Sequence, residues 1–447
     1  MKNRLKDILT TPLIKNSAKI SVSNIIMYML PIIVTPILTR LYTPEAFGEW
    51  GVFSSFVTIV NIGLFLGFEN VIIQGKEAQL PQILWLCIGV SAITITLIAI
   101  IFWGGVRASI PFFTGFPAHG LLIIYLLFYT LYTLLYNIAN RRERYYILSF
   151  SNVILGSSQA LFRIIFAFIC LQAINGLILG TTIAQGCAAL FIFLFLVRRH
   201  IKSLLVRINL YKIKHLFIRY KNFPLYDAPA SMLSFAAFNL PVIILAIYFD
   251  KADIGCFSII LQLLLMPMSL VGSAMGKVYY QKICANSDNI EGTTHEMLRI
   301  ITIIAILPLF FIVCGGDKLI IIFLGEQWKS AGDAALCLAL WSFPTILTQP
   351  LLPLFRAKNK QRTLLVFDFL YFTFGVGSIF LLCQLTKDLH LILLVYTVCC
   401  FIVKTALFHS ILQICHLSIA RYKRCLLLWG FAFIILCFRL TNIFLSQ

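Results

Sequence analysis

Stretches of about 20 apolar residues recur along the chain, separated by short polar or basic segments. A helix crosses the hydrocarbon core of a bilayer in about that length. Reading for it gives about twelve spans, near 20–41, 47–73, 82–103, 119–139, 147–171, 176–197, 225–249, 254–275, 298–315, 331–354, 364–384 and 389–412. The runs are continuous and do not alternate, so the pattern predicts helices and not the strands of a membrane barrel. Helix-entry chemistry supports the divisions. Thr43-Pro44-Glu45 offers a cap, a proline at the first helical position and an acid in the first turn, and Thr293 with Glu296 has capping-box spacing. A further run, 425–438, is of marginal length and is expected either to cross or to lie at the interface.

Composition narrows the class. Of 447 residues, 60% are hydrophobic and 12% charged, against about 25% charged in soluble proteins. A soluble enzyme is excluded, and the chain reads as an all-α polytopic membrane protein. The net charge of +19 suggests nucleic acid in a soluble chain, but here the basic residues sit in short loops between apolar runs. With the N-terminus inside, 27 Lys and Arg fall on the inner side and 6 on the outer. The positive-inside rule then fixes a cytoplasmic N-terminus, and no nucleic-acid partner is expected.

The longest basic connection, RRHIKSLLVRINLYKIKHLFIRYKNFP, has no acid and interleaves Ile and Leu with Lys and Arg. It is expected to be an amphipathic linker on anionic headgroups. It divides the chain into an N-terminal six-helix lobe (1–197), the linker (198–224), a C-terminal six-helix lobe (225–412) and a cytoplasmic stretch ending in the 425–438 segment (413–447). The halves resemble each other: LPII at 30–33 precedes Gly48 as LPVI at 240–243 precedes Gly255. Such a repeat points to an alternating-access transporter. Gly63/Gly67 and Gly272/Gly276 have G-x-x-x-G spacing and are expected to pack helices within each lobe.

The chain shows no G-x-x-x-x-G-K-[ST] loop, no G-x-S-x-G elbow and no H-E-x-x-H, so no catalytic residue and no cofactor are expected. The seven histidines lack ligand spacing, the thirteen cysteines form no C-x-x-C pair, and no metal site is expected. The N-terminus lacks a small-residue cleavage site, so no cleaved signal peptide is expected. Charges inside spans are the informative residues, since one at the bilayer centre costs about 3 kcal/mol on insertion scales. Arg163 and Lys404 are the deepest, one in each half. Facing inward they line a central cavity with positive charge and suit an anionic substrate. Asp227, Asp368 and Glu69 lie nearer cytoplasmic helix ends and are candidates for gating or proton coupling, with interfacial helix-end charge the plainer reading, above all for Glu69.

The string LPIIVTPILTRLYTPEAFGEWGVFSSFVTIVNIGLFLGFENVI at 30–72 resembles the first two helices of bacterial polysaccharide-unit flippases. These form the O-antigen (Wzx-type) branch of the multidrug/oligosaccharidyl-lipid/polysaccharide flippase superfamily. The T-R-L-Y-T-P-E-x-F-G turn, Thr39 to Gly48, carries it most specifically. FPLYDAPASMLSFAAFNLPVIILAIYFDKADIGCFSIILQLLLMPMSLVGSAMGKVYYQ at 223–281 resembles the start of that family's second lobe, and LGEQWKSAG at 324–332 an external turn. The resemblance implies two six-helix lobes about a central cavity in the bacterial inner membrane. It also implies alternating-access transfer of undecaprenyl-diphosphate-linked oligosaccharide, with a polysaccharide polymerase and a chain-length regulator as partners. Two alternatives stand beside it: a membrane-embedded polysaccharide polymerase or ligase, and a multidrug exporter of the same superfamily.

The charge count makes a direct prediction. A reporter fused after Lys212 is expected to be cytoplasmic, and one fused after Lys318 to face outward. An outward reporter at Lys212 would sink both the topology and the two-lobe scheme.

Overall fold

The computed structural model describes residues 12–169, 175–197, 209–285, 289–311, 315–358, 360–417, 430, 433–436 and 439. Every secondary-structure element among them is helical. The long helices are α1 (Pro12–Leu41), α2 (Pro44–Gly63), α3 (Leu80–Arg107), α4 (His119–Arg141), α5 (Tyr145–Ile169) and α6 (Gly176–Ile192). They continue with α7 (Ala228–Tyr248), α8 (Lys251–Ala285), α9 (Ile290–Phe311), α10 (Lys329–Thr348), α11 (Gln361–Leu385) and α12 (Leu389–Ile414). Nine helical stretches among the described residues are long and apolar enough to cross a membrane, or ten if α2 and Phe68–Gln74, bent by 59°, form one span. The remaining expected spans, 254–275 and 298–315, fall on α8 and α9. The protein is therefore multi-pass. Most of the 425–438 run lies outside the described residues, as does 198–208.

Two compact units divide the chain: residues 1–42 with 52–235, and 43–51 with 236–447. In the first, α1 lies along α5 and α5 along α6. Gly156 permits the closest approach, since a Cβ there would come 2.8 Å from the Met27 Cα. The amphipathic helix Leu210–Arg219 from the basic linker belongs to this unit. Asn209 caps it by accepting from the Lys212 N–H, and Phe217 packs its ring 5.3 Å from Phe68.

In the second unit α10 is the central element: Leu336 through Thr348 are all buried, with α8, α9 and α12 packed around it. The first turns of α2 belong here too. Gly48 and Gly255 cross so tightly that a Cβ on Gly48 would sit 2.0 Å from the Lys251 carbonyl oxygen, and one on Gly255 1.9 Å from that of Pro44. Lys251 Nζ pairs with Glu49 at 2.7 Å, and Phe47 meets Trp328 edge-on at 5.0 Å. The glycines singled out at matching places in the two halves are thus each other's packing partners.

Two local expectations are corrected. Gly67 is left-handed, with φ of 81°, and lies past the end of α2, so it marks a break in the span, while Gly63 does pack, against Met232 of α7, whose sulfur would lie 3.0 Å from an added Cβ. Gly272 does pack, against Gln349. The cap of α9 is Asn289, whose Oδ1 accepts from the Gly292 N–H at 3.1 Å. Thr293 lies inside the helix and donates to the Asn289 carbonyl.

Gly48→Ala and Gly255→Ala are each expected to lower the melting temperature of the purified protein, at a cost of about 1–3 kcal/mol or more, because a backbone carbonyl cannot step aside. Gly89→Ala and Gly377→Ala, with nothing within 4 Å of the added carbon, should match or exceed wild type. Equal melting across all four would refute the close crossing.

Candidate functional site

Three constellations hold the charged residues that fall inside spans. The first centres on Arg163, in the C-terminal half of α5. Its side chain is 4% exposed, and Nη2 donates to Thr181 Oγ1 on α6 at 2.9 Å. Tyr42, just beyond α1, donates its hydroxyl to the Arg163 carbonyl at 2.7 Å. Gly180 makes room for the arginine stem, because a Cβ there would come 3.0 Å from the Arg163 Cγ. The guanidinium is therefore enclosed between α5 and α6 in this conformation.

The second centres on Lys404 in α12, which is 5% exposed. Its ammonium lies 4.5 Å from the centre of the Tyr371 ring on α11 and 5.8 Å from that of Phe238 on α7. Phe238 in turn packs against Tyr371 and Trp341. Asp368, one turn before Tyr371, is half-buried and acts on the ammonium electrostatically. Among the described residues no carboxylate comes within ion-pair distance of Lys404. Aromatic faces thus hold a cation that water cannot reach, an arrangement worth about 2 kcal/mol when desolvated.

The third lies at the break after α2. Gly67 turns the chain, and Glu69 follows in the short helical turn Phe68–Asn70. The Glu69 carboxylate draws on the backbone N–H groups of Gly67 and of its own residue, and Asp227 lies within electrostatic reach. Its Oε2 is buried without a hydrogen-bond partner among the described residues. Asp227 is exposed, in the wide helical turn Phe223–Asp227 that leads into α7. Its Oδ2 would lie 3.6 Å from a Cβ placed on Gly67.

The structure thus brings Asp227 within electrostatic reach of Glu69 and Asp368 within that of Lys404, and sets the Arg163 guanidinium on Thr181 of α6. Glu69, given the weakest claim from sequence, sits at a discontinuity in its span and not at a plain helix end. The signal is Leu-Gly-Phe-Glu-Asn at 66–70, a glycine two residues before an acid within an apolar run. The residues missed altogether are the aromatic partners Phe238 and Tyr371, which look like ordinary apolar positions in sequence.

Removing the buried charge tests what holds the Lys404 site together. Lys404→Met keeps the stem and deletes the ammonium, and the melting temperature is expected to stay at or above wild type, because a buried charge costs more to desolvate than its surroundings return. A fall as large as that of Gly48→Ala would make the ammonium a structural element instead.

Residues 37–333 match the protein family described as "Polysaccharide biosynthesis protein". Among solved structures, the fold is similar to an inward-facing multidrug resistance MATE family transporter of the MOP superfamily. That likeness has a TM-score of 0.65 and 14% identity, covering 88% of this chain and 98% of the other. It is similar to the lipid II flippase MurJ in an inward closed conformation, at TM-score 0.60 and 14% identity over 95% and 92% of the two chains. A MOP superfamily transporter from Pyrococcus furiosus gives TM-score 0.57 and 14% identity over 90% and 95%. No curated protein matches the chain in sequence. The expected superfamily fold is therefore met.

Proposed function

The chain belongs to the polysaccharide biosynthesis protein family, and from that premise we propose that it is a flippase for lipid-linked oligosaccharide. In this reading it moves undecaprenyl-diphosphate-linked repeat units, of O-antigen or a related surface polysaccharide, from the inner to the outer leaflet of the bacterial inner membrane. It does so by alternating access, with its N-terminus in the cytoplasm, and delivers its product to a polymerase and chain-length regulator. One observation carries the reading: a chain of this family shares the fold of a protein whose cargo is lipid II, over 95% of its own length. The multidrug alternative draws support from the MATE fold alone, and the polymerase alternative from neither fold nor site.

Arg163 and Lys404 are assigned to the diphosphate. Both are enclosed in this conformation, so each acts first through its field, which a low dielectric transmits strongly. Each touches substrate only in a state where its surrounding helices have parted. Arginine suits this role because its planar fork grips phosphate oxygens in pairs. Glu69 with Asp227 is assigned to proton coupling, since an intramembrane acid beside a second carboxylate can take up and release a proton as access alternates. Asp368 is assigned to gating, balancing Lys404 when no anion is present.

Cells lacking the protein are expected to accumulate repeat units on the cytoplasmic leaflet while polymerase chemistry continues. Single units collecting on the periplasmic side would point to the polymerase. Arg163→Ala should reduce surface polysaccharide by about tenfold or more at unchanged membrane abundance, and Arg163→Lys should restore part of it. Full activity at normal abundance in both Arg163→Ala and Lys404→Ala would remove the site assignment and leave the transport reading in place.

A further inference from the structure

One face of α4 carries a phenol at almost every turn. Tyr125, Tyr129, Tyr132 and Tyr136 are spaced by four, three and four residues, which places them on one side of a helix over about 16 Å of rise. The opposite side shows Ile124, Leu127 and Leu131, exposed at 44%, 53% and 42% and bearing hydrocarbon only. That side suits lipid. The tyrosine side does not, because an unpartnered hydroxyl is costly in hydrocarbon. Nor is it an interfacial girdle, since girdles occupy the two rims of a bilayer and this row runs along about half of its thickness.

The row is not closed core either. Tyr129, Tyr132 and Tyr136 are only half-buried. Tyr28 of α1 is 42% exposed and lies within electrostatic reach of all three. Tyr125 and Tyr129 stack, with ring centres 6.1 Å apart and planes 19° from parallel, and Tyr132 and Tyr136 lie 5.6 Å apart.

Amides and an acid border the rings. Asn61 Nδ2 donates to the Tyr125 hydroxyl at 3.2 Å, and the Tyr132 hydroxyl donates to Asn152 Oδ1 at 3.2 Å. Asn152 is itself fixed by donating to Asn24 Oδ1 at 2.7 Å. Two buried acceptors, Asn61 Oδ1 and Glu69 Oε2, have no hydrogen-bond partner among the described residues, and Glu69 lies within electrostatic reach of Tyr129.

We propose that this face of α4 is a saccharide track within the first unit, which recognises the neutral, hydroxyl-rich rings of the cargo separately from its diphosphate. Flat aromatic faces take the C–H faces of sugar rings. Phenol, amide and carboxylate groups at their edges take the hydroxyls, with donors and acceptors both on hand. No cation lies in the row, so its chemistry selects uncharged sugar and not phosphate. The inference rests on the reading of the chain as a transporter of lipid-linked oligosaccharide.

The test uses the full-length protein in detergent and, as probe, the free repeat-unit oligosaccharide released by mild acid from the host's lipid carrier. In the double variant Tyr129→Leu with Tyr136→Leu, the apparent Kd for this probe is expected to rise by about tenfold or more. The double variant Tyr129→Phe with Tyr136→Phe, which keeps the rings, should lose less and melt at the wild-type temperature. Wild-type affinity in the leucine variant overturns the proposal, and so does a phenylalanine variant that loses as much as the leucine one. A wild-type protein that moves the lipid-linked substrate between leaflets but does not bind the free saccharide overturns the track and leaves transport standing. Absence of leaflet transfer by the wild type overturns the transport reading itself.

Discussion

A bilayer interior supplies no hydrogen-bond partners, and each polar group that enters it must find one within the protein. The backbone complies by being helical. Side chains comply locally: the hydroxyls of Thr35, Thr58, Thr94, Thr130, Thr182 and Thr302 each return to the carbonyl four residues earlier on their own helix. Where a helix stops mid-span, as after Gly63, other groups stand in. Arg141 donates to the Ile72 carbonyl just past that break and pairs with Glu77 at 2.9 Å. Among the described residues, the buried polar groups left over include Asn61 Oδ1 and Glu69 Oε2 beside the tyrosine row, and Gln185 Nε2 and Thr397 Oγ1 elsewhere.

The two deep cations meet the same demand by different chemistry. Arg163 has a fork of N–H groups and spends one on Thr181 of the neighbouring helix. Lys404 has a point charge and rests on the π faces of Tyr371 and Phe238, with Asp368 at longer range. Neither solution is the cheapest way to fill a helix interface, which an aliphatic side chain would do without desolvation. Among the described residues no carboxylate forms a close pair with this ammonium, and a charge without a tight partner projects a field that an ion pair would extinguish.

Much of this was legible in the sequence because its period and length are set by the solvent. Apolar runs of spanning length located the helices, and Arg163 and Lys404 stood out as charges with no nearby end to snorkel to. Other features depend on pairs of residues far apart in the chain. Gly48 and Gly255 were marked by similarity between halves, but nothing along the chain says that they touch. Phe238 and Tyr371 became partners of Lys404 only through the packing of α7, α11 and α12. The helix break between Gly63 and Phe68, which places Glu69 at a discontinuity, is invisible to hydropathy: Leu64, Phe65 and Phe68 keep the window apolar while the backbone turns. The α9 start was misplaced since Asn289 and Thr293 are equally good caps in isolation, and tertiary context chose the earlier.

The crossing of Gly48 with Gly255 has a consequence for how the protein is made. Its two sides are separated by about 200 residues, which a ribosome working at about 5–20 residues per second needs some 10–40 s to traverse. Throughout that interval Gly48 lacks the backbone that will cover it, and Glu49 has been made before Lys251. The space at Gly48 is shaped for one helix backbone, and until α8 emerges the nascent chain must be kept from closing it on another. Closing this crossing is therefore a late event, since its second side is made about 200 residues after its first.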